Sequence, residues 1–164
     1  MTSPTPISGD GAADAYARLA ELGLTLPQVV PPVAAYVPAV QSGNYVYVSG
    51  QLPMVDGKLA QTGKVGADVT PEQAAELART CAVNALAAID ALVGLGKIVK
   101  IVKVTGFVAS ADGFTGQPTV VNGASELFGA VLGELGRHAR SAVGVAELPL
   151  GAPVEVEVIA EVAP

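Results

Sequence analysis

The segment Ile98–Ser110, which reads IVKIVKVTGFVAS, is the feature that most constrains how this chain can fold. It is rich in β-branched residues and long enough to cross a sheet, which predicts a central strand. Apolar side chains occur at both even- and odd-numbered positions of the segment, which point to opposite faces of a strand, so both faces have to be covered. The rest of the chain must therefore supply neighbouring strands and a cover for each side of the sheet.

Two long helices flank this strand in the sequence. The stretch Thr70–Gln73 predicts a helix start, because threonine can act as the N-cap, proline suits the first helical turn and glutamine can complete a capping box. We expect this helix to run to about Val93 and the second helix to run over 118–135. Both carry apolar residues at helical spacing, so both can pack on one face of the sheet.

Further strands are predicted on either side of the helices. A hairpin is expected from Tyr36–Gln41 and Asn44–Ser49, and two more strands from Arg140–Leu148 and Val154–Val162. The order is ββ-α-β-α-ββ, which predicts an α+β fold with a single mixed sheet and two long helices on one face. No helix is left for the other face, so self-association is the simplest way to cover it.

The N-terminal part of the chain is expected to add little to this core. Residues 1–13 are rich in Ser, Thr, Pro and Gly and predict a flexible arm, whereas residues 14–23 predict an extra N-terminal helix. We expect residues 14–164 to form one domain, since a chain of this length can bury roughly 70% of its unfolded surface around a single core.

Composition limits the chemistry available. The chain has one cysteine, Cys81, and one histidine, His138, which excludes a disulfide within the chain and a zinc or iron site built on pairs of such ligands. A net charge of −6 argues against binding to a nucleic acid backbone. No segment approaches the roughly 20 apolar residues that span a membrane, and the N-terminus lacks the features of a signal peptide. We therefore expect a cytoplasmic protein that needs no metal and no cofactor, with neither nucleic acid nor membrane as a partner.

Three features could carry chemistry. Arg140, beside an apolar strand, could hold a carboxylate through two parallel hydrogen bonds, or it could be a structural ion-pair partner. Glu155 and Glu157 share one face of the last strand, where one could orient a water or both could simply be solvated. Ser49-Gly50 ends a strand in a loop, where glycine allows a ligand to come close to the backbone. Residue types alone leave these alternatives open.

Two other reactive residues are interpreted as structural. Cys81 lies in the middle of a predicted helix among Leu and Ala residues, so it is predicted to be a small buried hydrophobe. His138 lies in a predicted turn, where we expect it to be solvated rather than catalytic.

In their order along the chain, these features resemble the RidA (YjgF) family of small enamine/imine deaminases. The resemblance rests on Ser-Gly-Gln-Leu-Pro at 49–53, on Ala-Arg-Ser at 139–141 and on the closing strand with Glu155, and it spans about 32–162. It implies a chorismate-mutase-like fold assembled as a homotrimer with three clefts between subunits. It also implies hydrolysis of 2-aminoacrylate or related 2-imino acids to 2-oxo acids and ammonia, without a cofactor.

The resemblance assigns roles to individual residues. Arg140 matches the arginine that binds the substrate carboxylate, and Glu155 matches the glutamate that orients the attacking water. The remaining matches line the cleft: Tyr36, Ser49, Gly50, Asn122 and Ala142, the last through its backbone. If Glu155 is partly buried its pKa is expected to rise, which would suit a group that exchanges protons during ammonia release.

Three departures from the family pattern bear on the substrate. Ala142 stands where the family often has cysteine, Gly144 stands where glutamate is common, and residues 112–118 belong to a longer loop. The loop and the extra N-terminal helix resemble a longer RidA-like subgroup. Two alternatives therefore stay open: a RidA-fold trimer that acts on a bulkier carboxylate, and a non-catalytic ligand-binding or chaperone-like trimer. A ribonuclease is disfavoured by the acidic charge and by the missing basic track.

Overall fold

A computed structural model describes residues 10–164 of the chain, with side chains from residue 14 onward. The helices of this part are α1 (Asp10–Glu21), α2 (Pro71–Val93) and α3 (Gln117–Leu132). The strands are β1 (Ala39–Ser42), β2 (Tyr45–Gln51), β3 (Met54–Val55), β4 (Lys58–Leu59), β5 (Ile98–Ala109), β6 (Ala139–Val145) and β7 (Val154–Val162).

Five of the strands form one mixed sheet in the order β1-β2-β7-β5-β6. β5 and β6 run parallel, whereas the other neighbouring pairs are antiparallel. β5 is an internal strand between β7 and β6, which agrees with the prediction for the segment 98–110. The short strands β3 and β4 form a separate hairpin. The predicted α+β class is therefore confirmed.

α2 and α3 pack side by side on one face of this sheet, as predicted. On β5 this face includes Val104 and Gly106, both of them buried. A side chain at Gly106 would overlap Val121 of α3, and a side chain at Gly123 of α3 would overlap the carbonyl of Ala75 in α2. Glycine at these two points lets α3 lie close to both the sheet and α2, which gives the core its dense packing.

The start of α2 is fixed by the predicted capping box. Thr70 Oγ1 accepts a hydrogen bond from the backbone N–H of Gln73 (3.1 Å), and Gln73 Oε1 accepts one from the backbone N–H of Thr70 (3.0 Å). These bonds satisfy donors that a helix start otherwise leaves unpaired. The predicted extent of the helix is confirmed, and Cys81 on its inner face is buried as expected.

The other face of the sheet carries exposed apolar side chains. Tyr45 and Tyr47 of β2 and Val143 of β6 lie on this face and are exposed. α2 and α3 lie on the opposite side, so in the described part of the chain this face lacks the helical cover of the first. Within residues 10–164 no helix is both long enough and apolar enough to cross a membrane.

Two boundaries near the N-terminus differ from the prediction. α1 begins at Asp10, so residues 10–13, predicted as the end of a flexible arm, are helical; residues 1–9 lie outside the described residues. Alanine has the highest helix propensity, and the pair at 12–13 favours this earlier start. β1 begins at Ala39 and not near residue 36, because Pro38 has no N–H to donate to a strand ladder.

Two boundaries in the second half also differ. α3 ends at Leu132, because Gly133 adopts a φ of +58° and the chain continues as a 3-10 turn over Gly133–Gly136. β6 ends at Val145, whose carbonyl accepts a bond from the N–H of Ser110, and the chain then leaves the sheet. The predicted second helix and sixth strand therefore exist, but each ends three residues earlier than expected.

Candidate functional site

Arg140 lies on the edge strand β6 and points toward the helix-covered side of the sheet. Its partner across to β5 is Val104, which is fully buried on that side. The guanidinium reaches α3, where Nη1 donates to Asn122 Oδ1 (2.7 Å) and to Ser125 Oγ (3.2 Å). Nη2 donates to the carbonyl of Pro118 (3.3 Å). The predicted residues Arg140 and Asn122 are thus in direct contact.

The acceptors around Arg140 are all neutral. The ion pairs among the described side chains join Arg18 to Asp14, Lys64 to Glu147 and Arg137 to Glu134, and none of them includes Arg140. The three contacts leave the Nε–H and one hydrogen of Nη2 for a ligand. Within residues 14–164 Arg140 therefore forms no ion pair, and its positive charge is available to bind an anion.

Ser125 links Arg140 to the single histidine of the chain. Ser125 Oγ lies 2.9 Å from His138 Nε2, and His138 Nδ1 lies 2.7 Å from the carbonyl oxygen of Gly136. The imidazole also packs edge-on against the buried ring of Phe128, with ring centroids 6.0 Å apart. His138 remains partly exposed to solvent, but the turn at 133–136 folds back against α3 and places the ring in contact with this helix, which was not predicted.

A second group of predicted residues meets at a bulge in β2. Between Val48 and Gln51 the register against β7 shifts, which places the bulge at Ser49-Gly50. A side chain at Gly50 would overlap the carboxylate of Glu155 on the neighbouring strand. Bulges often redirect side chains next to functional sites. Glycine is needed at this position because the Glu155 carboxylate occupies the space above it.

A cavity of about 780 Å³ opens beside Glu155. Tyr36, Ser49 and Gly50 line it, and Ser49 Oγ–H donates to the carbonyl of Val37 (2.6 Å), which holds the strand end against the proline-rich segment 27–38. The apolar lining includes Val29, Val30, Pro32, Met54, Pro149 and Leu150. Four of the predicted site residues are therefore brought together around one cavity.

The carboxyl group of Glu155 has an unusual environment. Burial raises the pKa of Glu155 above the ordinary value of a glutamate, and the nearby Glu157 carboxylate raises it further. No Lys or Arg side chain of the described residues forms an ion pair with Glu155. Among the same residues no group of three or more His, Cys, Asp or Glu side chains is placed to hold a metal ion. Glu155 is thus half-buried and able to exchange a proton nearer neutral pH than an exposed glutamate.

Arg140 and Glu155 do not face each other within one chain. Arg140 pairs with Val104 of β5, whereas Glu155 pairs with Phe107 of the same strand. Residues three apart on a regular strand point to opposite faces, and the pairing of β5 with β7 is regular over this stretch. The predicted site residues consequently fall into two groups: Arg140, Asn122 and Ala142 on the helix-covered side, and Tyr36, Ser49, Gly50 and Glu155 around the cavity.

Ala142 and Gly144, the two residues of β6 that depart from the predicted family pattern, each have close neighbours in the structure. Ala142 pairs with Gly106 and is partly buried against the core. A side chain at Gly144 would lie within 2.8 Å of Gln117 Nε2 and 3.0 Å of Ser110 Oγ. Gln117 is the first residue of α3, directly after the longer loop, and its Nε2 donates to Ser110 Oγ (3.1 Å). Gln117 and Ser110 thus fill the space that a larger residue at 144 would need.

Sequence reasoning missed Ser125 and His138 as neighbours of Arg140. Ser125 follows Asn122 by three positions on α3, and residues at this spacing share a helix face, so this partner could have been found. His138 could not have been found in this way, because its contact depends on how the 133–136 turn packs against α3.

Most of the chain is similar to known proteins. The family model described as Endoribonuclease L-PSP matches residues 27–162. Protein TCP17 of Trypanosoma cruzi is 45% identical over 147 residues, which cover 88% of this chain and 92% of that protein. A protein of Dermatophagoides farinae named 2-iminobutanoate/2-iminopropanoate deaminase is 32% identical over 136 residues, which cover 83% of this chain and 92% of that protein.

A solved structure resembles the fold closely. The Atu1372 protein of Agrobacterium tumefaciens, described as having unknown function, superposes with a TM-score of 0.85 and 50% sequence identity. The match covers 93% of this chain and 94% of that protein. The fold and the sequence therefore point to the same group of proteins over nearly the whole described chain.

Proposed function

Because the chain belongs to the RidA (YjgF) family, the group matched by the Endoribonuclease L-PSP model, we propose that it is an enamine/imine deaminase. Its substrates are 2-aminoacrylate and related 2-imino acids, and its products are 2-oxo acids and ammonia. The observation that carries the proposal is the Arg140 guanidinium, which neutral acceptors hold in place and which has no carboxylate partner among the described residues. A relative with a deaminase name, 32% identical, supports the same reaction class.

The proposed reaction needs only positioned side chains and water. Arg140 binds the substrate carboxylate, and Glu155 accepts a hydrogen bond from the water that attacks the imine carbon. Water adds across the C=N bond to give a carbinolamine, which releases ammonia as the C=O bond forms. The raised pKa of Glu155 helps it to take a proton from water and return it to the leaving nitrogen. Orientation and charge stabilisation account for the acceleration.

The proposal requires a second copy of the chain at each site. Arg140 and Glu155 lie on opposite faces of one sheet, so they can act on one substrate only if a neighbouring subunit supplies the missing half. The exposed apolar face with Tyr45, Tyr47 and Val143 offers a surface for such an assembly. We propose a homotrimer with three clefts between subunits, in which Tyr36, Ser49 and Gly50 complete the wall beside Glu155 and the backbone of Ala142 lies next to the bound carboxylate.

A second candidate is a RidA-fold trimer that acts on a bulkier carboxylate. The cavity beside Glu155 has a largely apolar lining around Val30 and Leu150, and a long apolar side chain of a substrate would pack against it. Cleavage of RNA is disfavoured, because the net charge of −6 repels a phosphate backbone.

Release of 2-oxo acid from freshly generated 2-aminoacrylate and 2-iminobutyrate tests the proposal. Arg140→Ala and Arg140→Lys are both expected to lower kcat/KM by about a hundredfold, since lysine lacks the planar fork that binds a carboxylate. Arg137→Ala is the matched control, because Arg137 is exposed and, among the described side chains, forms an ion pair with Glu134 alone. If folded wild-type protein does not exceed the uncatalysed rate on these substrates or on the 2-imino acids of leucine and phenylalanine, the deaminase proposal is wrong.

A further inference from the structure

The hydrogen bonds around His138 define its tautomer. A backbone carbonyl can only accept, so the 2.7 Å contact with the Gly136 oxygen requires a proton on Nδ1. In the neutral ring Nε2 is then an acceptor, and at 2.9 Å its partner Ser125 must donate its hydroxyl hydrogen. The edge-on contact with Phe128 fixes the plane of the ring and therefore the direction of the Nε2 lone pair.

The hydroxyl of Ser125 is consequently oriented toward His138. A serine or threonine inside a helix commonly donates to the carbonyl four residues earlier, as Thr80 does to Glu76 (3.3 Å) in α2. Ser125 instead has His138 Nε2 as its partner, and its lone pairs then face Arg140 Nη1 at 3.2 Å. The contact from Ser125 to Arg140 is favourable only when the hydroxyl hydrogen points away from the guanidinium.

We propose that His138 is a positioning residue that acts through Ser125 to fix the orientation of the Arg140 guanidinium. One face of α3 supplies Asn122 and Ser125 to the same Nη1 atom, so the direction of the Ser125 dipole decides whether both contacts form together. The consequence for binding rests on the proposed role of Arg140 as the carboxylate clamp. The relay itself rests only on the contacts within one chain.

Two substitutions at His138 separate positioning from packing. The amide of glutamine can reach the location of Nε2 and accept from Ser125, whereas the shorter amide of asparagine can replace only the Nδ1 contact with Gly136. Both remove the imidazole that packs on Phe128. If His138 only supports the fold, His138→Gln and His138→Asn should have the same effect. If it orients Ser125, His138→Gln should retain most of the function that His138→Asn loses.

The first experiment needs no substrate. Because the chain contains one histidine, its imidazole signals in a long-range ¹H–¹⁵N NMR spectrum are unambiguous. We expect the Nδ1-protonated tautomer, a shift of the Nε2 resonance in Ser125→Ala, and faster solvent exchange of the Arg140 Nη1 hydrogens in His138→Asn than in His138→Gln. Thr80→Ala, which removes a hydroxyl bonded only to its own helix, should leave these signals unchanged. An Nε2-protonated ring, or equal Arg140 exchange in both His138 variants, would overturn the relay.

The second experiment measures the consequence for ligand binding, with pyruvate as the probe. We expect His138→Asn and Ser125→Ala to raise the Kd for pyruvate by about fivefold. Both should also raise KM more than they lower kcat, because a misoriented Arg140 weakens ground-state and transition-state binding alike. His138→Gln should stay near wild type. If pyruvate does not bind wild type, the proposed function of Arg140 fails, and the Arg140 exchange rates still decide the relay. If pyruvate binds equally to every variant, the relay is wrong.

Discussion

Arg140 and Glu155 point to opposite faces of the same β sheet, with β5 between their strands. Their partners on β5 are Val104 and Phe107, which differ by an odd number of positions on a regular stretch of strand. The catalytic pair that we propose is therefore divided within one chain. A complete site needs Arg140 from one subunit and Glu155 from its neighbour. This sharing of the site between subunits can be tested directly.

Mixed oligomers of Arg140→Ala and Glu155→Gln should regain activity that neither variant has alone. In a 1:1 cyclic trimer assembled at random, about one quarter of the sites would combine an intact Arg140 with an intact Glu155 from the next subunit. The measurement is 2-oxo acid release after the two variants are coexpressed or refolded together. The control mixes Arg140→Ala with the double variant, which cannot form an intact site. Absence of recovery in mixtures shown to contain both chains would contradict a site shared between subunits.

Replacing Gly50 by alanine should disturb the site more than the fold. The added methyl group would occupy the space of the Glu155 carboxylate, so the carboxylate must move away from the cavity wall. We expect kcat to fall by about tenfold to a hundredfold. Gly129→Ala is the matched control, because a methyl group there meets nothing within 4 Å and alanine favours a helix.

Equal activity of the two glycine variants would contradict this role of Gly50. Thermal unfolding should accompany the assay, since Gly129→Ala is expected to stabilise the protein by up to about 1 kcal/mol. A Gly50→Ala protein that unfolds at a much lower temperature would show instead that Gly50 serves the fold.

The raised pKa of Glu155 predicts the pH dependence of the reaction. Glu155 acts as a carboxylate when it orients the attacking water, so kcat should rise with pH along a limb above the usual range of a glutamate. Glu155→Gln should lower kcat and remove this limb. Glu161→Gln, on the same strand and at the same parity, is the control. A wild-type pH–rate profile that persists in Glu155→Gln would exclude Glu155 as the titrating group.

The same shift predicts the pH dependence of stability. Because the folded state raises the pKa of Glu155, the folded chain binds more protons than the unfolded chain between the ordinary pKa and the raised one. The contribution of Glu155 to the free energy of unfolding should therefore be fully present below the ordinary glutamate range and should be lost as pH rises through the raised pKa. Glu155→Gln should flatten this decrease, measured by denaturant unfolding across pH. A steeper decrease of the free energy of unfolding in Glu155→Gln than in the wild type would contradict the prediction.

Elements whose signals are local were predicted well. The capping box at Thr70–Gln73 and the glycine at 94 define α2 through contacts between residues close in sequence, and the β-branched run that became β5 needs no distant partner to favour an extended chain. The ends of α3 and β6 were placed too late. The end of α3 depends on where the turn at 133–136 leaves the core, and the end of β6 depends on where the chain leaves the sheet after Val145. The conformational preferences of nearby residues do not determine either point.

The candidate site also contains residues that could be predicted from the sequence and contacts that could not. Arg140, Asn122 and Glu155 could be named from the sequence because the resemblance fixed their positions, and the helical spacing from Asn122 to Ser125 was available as well. The contact between Ser125 and His138 was not. It depends on a turn that packs against α3, and nothing near His138 in the sequence indicates that its ring contacts this helix.

The sequence by itself determined the helices, the strands and the parity of residues along each strand, because these follow from interactions within a few residues. Only the tertiary structure decided that Arg140 and Glu155 face opposite sides of the sheet. Alternation orders the residues within one strand, but the relation between two strands depends on the register of each against β5, which packing across the whole core selects. The same packing places His138 in contact with Ser125 and surrounds the Arg140 guanidinium with neutral acceptors, so that its positive charge can bind an anion.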